Sequence, residues 1–183
     1  VNVLKRYLSE AFGSTWLATG FVAACAIALG IQMDGARRFE SPTHRYSMVF
    51  PLGWKALPRT DQNIHGLADA YFGDKKGHSA AVFVHEEATE PRGVAENILA
   101  QAKSDDGEVE IKERRKYEKD GKKFERVVFF AGEFGHHYTF VYASGKEFVI
   151  SANCVKRDFQ ANLKSFDSIA ESLNMSDDAC RLR

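Results

Sequence analysis

"KDGKKFERVVFFAGEFGHHYTFVYASGKEFVISANC", Lys119 to Cys154, decides the fold. Asp120-Gly121 and Ser144-Gly145 suit two-residue hairpin turns, whose central residues need positive φ. Gly132 and Gly135 mark a further bend between them. Between these points the chain is aromatic and β-branched. Phe124 to Phe130 comes first. Tyr138, Phe140 and Tyr142 then alternate with Thr139, Val141 and Ala143, and Phe148, Ile150 and Ala152 follow. Such residues fit a pleated, buried surface. Val109, Ile111 and Tyr117 lead into the first turn. The stretch predicts four antiparallel strands joined as a meander and ending at Cys154.

Downstream, Asp158 is the expected cap of a helix. Phe159, Leu163, Phe166, Ala170 and Leu173 recur at helical spacing, so this helix is expected to pack on the sheet. From Asn174 to Arg183 the chain reads as a polar tail, with the domain closing by residue 175. Upstream of the meander, Glu90-Pro91 starts another helix, with proline at its favoured first position. Val94, Ile98 and Gln101, flanked by Ala95, Leu99 and Ala102, form its stripe, and Asp105-Asp106-Gly107 ends it. Three strands are expected before that helix. They are Arg45 to Phe50, closed by Pro51, then Leu67 to Phe72, then Ala80 to His85. The order is three strands, a helix, four strands and a helix. It predicts an α+β fold, an antiparallel sheet flanked by helices, spanning residues 37–175.

The segment Thr15 to Met33 has no charged side chain and no proline. As a helix it would rise roughly 28 Å, close to the ~30 Å hydrocarbon core of a bilayer. We read it as a retained single-pass transmembrane helix within an N-terminal unit, residues 1–36. Three processing signals compete with that reading. Ala24-Cys25-Ala26 and Ala26-Ile27-Ala28 fit small-x-small cleavage sites, and Val22 to Cys25 resembles a bacterial lipobox. Lys5 and Arg6 before the segment nearly balance Arg37 and Arg38 after it. A long domain after a first apolar segment usually crosses. The expected placement is therefore the bacterial inner membrane, N-terminus inside and domain on the periplasmic side. Val3, Leu4, Tyr7, Leu8, Ala11 and Phe12 repeat at helical spacing and read as an interfacial extension of that helix.

Lys+Arg and Asp+Glu both number 25, so a neutral chain shows no global attraction to nucleic acid, and no nucleic-acid partner is expected. A hydrophobic share of 44% with 27% charged residues belongs to a globular protein rather than a disordered one. No Cys/His spacing points to zinc. Cys154 and Cys180 pair in an oxidising compartment or remain two free thiols, and both readings stay open.

Four stretches together resemble the PsbP-like family. "YSMVFPLGW" (Tyr46 to Trp54) resembles its opening strand and Pro-x-Gly-Trp motif. "DGKKFERVVFF" and "YTFVYASGKEFVISANC" resemble its later hairpins, and "FQANLKSFDSIAESL", ending in Phe166, Ile169, Ser172 and Leu173, resembles its closing helix. The likeness spans roughly residues 39–175. It implies an α/β/α sandwich and a binding or assembly role, since the family includes the extrinsic photosystem II subunit and bacterial envelope proteins. Its motifs are structural: proline stops pairing, glycine permits the bend, and Trp54 plugs the core edge.

No catalytic, cofactor-binding or metal residue is predicted, and the chain is not read as an enzyme. His136-His137 reads as a pair of exposed turn histidines. Adjacent strand residues face opposite ways, so one metal would rarely use both, and a site with His85, Glu86 or Glu87 is the weaker alternative. His44, His65 and His78 fall in loops without a paired nucleophile. Asp69, Asp74, Glu86 and Glu87 form no legible acid/base pair. "KERRKYEKDGKK", Lys112 to Lys123, reads as a solvated hairpin, with anionic lipid or an acidic partner as the alternative. The expected function is a non-catalytic, membrane-anchored accessory subunit that docks on a larger membrane complex, photosynthetic or electron-transferring. A free-standing envelope protein or lipoprotein binding a small ligand, ion or lipid between helix and sheet is the alternative.

Overall fold

The computed structural model describes residues 32–33, 36–57, 68–86 and 94–175. The predicted meander is there. β7 (Val109–Lys119), β8 (Lys122–Ala131), β9 (Phe134–Ala143) and β10 (Lys146–Val155) pair antiparallel in chain order. Asp120 and Gly121 take φ of 53° and 69°, Ser144 and Gly145 take 52° and 74°, so both short turns are left-handed as two-residue hairpins require.

Earlier strands extend this sheet past β10. β4 (Lys55–Ala56), β5 (Ala70–Gly73) and β6 (Ser79–His85) complete seven strands in the order β4-β5-β6-β10-β9-β8-β7. Alternation sends the two sides of each central strand into different cores. Phe124, Val128, Val141, Phe148, Ile150 and Ala152 face α2 (Lys156–Glu171) and meet its Phe159, Phe166, Ile169 and Ala170. Val127, Phe129, Phe140 and Val149 face α1 (Val94–Asp106) and meet its Val94, Ala95 and Ile98. The central strands are therefore apolar on both sides, and each fully buried Phe contributes about 1.5–3 kcal/mol.

A second sheet, β1-β2-β3-β11, lies on the α2 side: β1 (Gln32–Met33), β2 (Ala36–Glu40), β3 (Tyr46–Pro51) and β11 (Asn174–Met175). Tyr46, Met48 and Phe50 are fully buried in the α2 core, and Pro51 is the last residue of β3. Trp54 closes that core, its ring 6.3 Å from Phe50 and 6.5 Å from Phe166.

Several local expectations need correction. Gln32 and Met33, the end of the expected transmembrane helix, are strand, opposite Arg37 and Ala36. Strand pairing thus reaches back across the expected boundary at residue 36. Residues 1–31, with Cys25, lie outside the described residues, as does Cys180; among the described residues no helix is long and apolar enough to cross a membrane. Asp158 does not cap α2. Val155 occupies that position without a side-chain bond, and Asp158 lies in the first turn, where its charge still suits the helix dipole. Asn174 and Met175 are not tail but pair with Ser47 and Tyr46. Arg45 takes φ of 55°, so β3 starts one residue later than expected.

Candidate functional site: a groove among closed polar clusters

The polar residues that stood out in the sequence fall into separate clusters. At one end of the large sheet, His44 lies between two carboxylates. Its Nδ1 is 2.8 Å from Glu86 Oε1 and its Nε2 is 3.7 Å from Asp69 Oδ1. Tyr46 donates its hydroxyl to Asp69 Oδ2 at 2.7 Å, and Lys146 Nζ donates to Glu86 Oε1 at 2.9 Å. Partial burial raises the pKa of Glu86, but hydrogen bonds from Lys146 and His44 outweigh it and hold that carboxyl below its ordinary value. Sequence spacing missed this cluster, because strand pairing collects His44, Asp69, Glu86 and Lys146 from four distant segments. The cluster clamps the loop between β2 and β3 to the sheet.

His78, unlike the half-buried His44, is buried. Its Nδ1 is 2.8 Å from Asp74 Oδ2, and Asn162 of α2 approaches its Nε2 at 3.3 Å. Cys154 is buried on the neighbouring strand, and burial, helped by Asp158 and Asp74, pushes its thiol up to about 11. Such a thiol stays protonated at neutral pH and is a poor nucleophile and metal ligand.

His136 and His137 are not exposed turn residues. Both lie within β9 and, as adjacent strand positions, point to opposite faces. His136 stacks on Phe129 at 4.8 Å, and burial lowers its pKa to about 4 against a weak opposing pull from Asp106. His137 is fully buried, its Nε2 2.9 Å from Asp167 Oδ1 on α2. His85 is buried on β6, opposite Glu147 of β10. His65 and Glu87 lie outside the described residues. Among the described residues no group of three or more His, Cys, Asp or Glu could hold a metal.

The basic stretch Lys112 to Lys123 forms much of the edge strand β7 and its turn. Most of its positive charges meet carboxylates, while Lys122 donates to the Leu173 carbonyl at 2.6 Å. Arg114 joins Glu96 and Glu125, which push its proton affinity up, Arg115 meets Glu113 at 3.1 Å, and Lys119 meets Glu171 at 2.7 Å. The register shifts between Ile111 and Glu113, an irregularity of the kind that blunts an edge.

One open feature among the described residues is a groove of about 360 Å³ between α2 and β3. Val49, Phe50, Pro51 and Ile169 form its apolar wall, Ser165, Ser168 and Ser172 line the helix side, and Lys164 adds a charge. Ser172 fixes the strand edge, its Oγ accepting from the Val49 N–H at 2.9 Å. Val49 is 38% exposed, and Leu52 just beyond is 69% exposed. This arrangement offers hydroxyls and an apolar ledge, which suits contact with a partner or a small amphipathic molecule.

No protein-family profile matches the chain, and no curated protein does. Solved structures do. Cyanobacterial PsbP from Synechocystis sp. PCC 6803 superposes with a TM-score of 0.64 at 14% identity, covering 85% of this chain and 99% of that one. LpqN of Mycobacterium tuberculosis, described as involved in cell envelope biogenesis, gives a TM-score of 0.45 at 10% identity, covering 71% and 82%. Three layers, the antiparallel meander and the superposition on cyanobacterial PsbP lead to one conclusion: the chain has a PsbP-like fold.

Proposed function

We propose that this chain is a non-catalytic accessory protein whose PsbP-like domain docks on and stabilises a larger membrane complex, of the photosynthetic or electron-transfer kind. The apolar run that begins at Thr15 holds it in the bacterial inner membrane, and the domain works on the periplasmic face. The observation that carries this reading is the superposition on cyanobacterial PsbP, which extends over 99% of that protein. The closed ion pairs support it too, because they use titratable groups to hold elements together. A tether concentrates the domain at the membrane surface, so weak contacts through the Val49–Leu52 ledge suffice.

The test is gentle detergent extraction of the native membrane and capture of the full chain. The expected result is a stoichiometric membrane complex. It should be retained by wild type and weakened at least tenfold by Val49→Glu with Leu52→Glu, two exposed positions whose change leaves the core intact. A chain that emerges alone, cleaved at Cys25 or later, overturns the reading. The groove between α2 and β3 favours a second reading, an envelope protein binding a small lipid or other ligand there. Thermal shift separates the two: stabilisation by a lipid, lost in Ser168→Trp, supports the second.

A further inference from the structure

The polar residues beneath α2 leave specific valences open. Asp167 Oδ1 lies 2.8 Å from Arg126 Nη1 and 2.9 Å from His137 Nε2, and Arg126 Nη2 reaches Glu113 Oε2 at 3.2 Å. Three other atoms of this set have no hydrogen-bond partner among the described residues: Arg126 Nε, His137 Nδ1 and Thr139 Oγ1. Arg126, His137 and Thr139 are 4%, 0% and 1% exposed, so bulk water does not serve them. They are also neighbours. Arg126 lies directly across from Thr139 in the β8–β9 ladder, and His137 is two residues from Thr139 on the same face. Buried polar groups are normally satisfied, by protein or by ordered water.

We propose that Arg126 Nε, His137 Nδ1 and Thr139 Oγ1 bind one internal water molecule between the sheet and α2. The chemistry of the three atoms selects water over an ion. Arg126 Nε–H only donates, so the occupant must accept. A neutral His137 that gives its Nε2–H to Asp167 has a lone pair at Nδ1, so the occupant must also donate. Thr139 does either. Water meets all three demands. Chloride cannot donate, and fits only a ring that carries both protons. Ammonium cannot accept, and is opposed by the Arg126 N–H. The water completes a bridge from β8 and β9 to Asp167 and fixes which nitrogen of His137 holds the proton.

High-resolution crystallography of the full chain, with long-range proton–nitrogen NMR of the histidine rings, tests this. The expected result is one water within hydrogen-bonding distance of all three atoms, with His137 as the Nε2–H tautomer at neutral pH. Exchanging acetate for chloride at constant ionic strength should then leave the thermal midpoint unchanged. The proposal is overturned by density that joins Arg126 Nε directly to Thr139 Oγ1. A chloride-dependent rise in midpoint with a doubly protonated ring overturns it equally, by assigning the site to an anion.

Discussion

At Gly135 the absent side chain is itself the contact. A Cβ there would lie 2.2 Å from Phe159 Cδ2, because α2 presses this ring onto β9. Gly135→Ala should therefore cost about 1–3 kcal/mol, the range for overpacking, read as a lower urea midpoint at unchanged slope. Its neighbour His136 carries a pH dependence. Burial against Phe129 lowers its pKa to about 4 from 6.5, so the unfolded chain takes up the proton first. The associated stability is complete above pH 6.5 and is lost as pH falls from 6.5 toward 4. The loss is on the order of 3 kcal/mol. His136→Phe should flatten the stability profile across that window, as measured by denaturation at a series of pH values. An unchanged slope would place the acid sensitivity elsewhere.

At the scale of elements, β1 decides where the domain can be cut. A chain starting at residue 32 keeps β1 and the pairing of Ala36 with Pro51, whereas one starting at 37 loses both. The shorter chain should be less stable by about 1 kcal/mol for the hydrogen bonds lost, and calorimetry on the two truncated chains measures it. The sequence carried the long elements because their signals are local. Phe159, Phe166 and Ala170 announce α2 by spacing, and Asp120-Gly121 and Ser144-Gly145 announce the hairpins. β2 was hidden. Its "ARRFE" is mostly charged, and Phe39, packed against the core through Tyr46 and Phe72, is what places it there. β11 is too short to show any period. Gly135 and two histidines looked like a bend, yet the glycine serves a helix in the other layer. The His44 cluster was equally hidden, since its members are joined only by strand pairing.

Across the whole molecule, the two cores and the polar clusters have different duties. Aromatic burial supplies the stability, and the His44 and Asp167 clusters pin a loop and a helix to the sheet. The α2–β3 groove takes its apolar wall in part from Val49, Phe50 and Pro51 of the family-like "YSMVFPLGW" motif. The strand order has a kinetic consequence as well. β7 through β10 pair with their sequence neighbours, so their loops close at little entropic cost. β6 must instead find β10 across a separation of 74 residues, as in the Ser79–Asn153 contact. Stopped-flow refolding should show Gly145→Ala, in the β9–β10 turn, mainly slowing folding. Val82→Ala, at the β6–β10 seam, should mainly speed unfolding. The meander is then the nucleus, and the N-terminal strands condense on it last. If the chain is synthesised from its N-terminus, β4 to β6 must wait on the ribosome for the strand that shelters them.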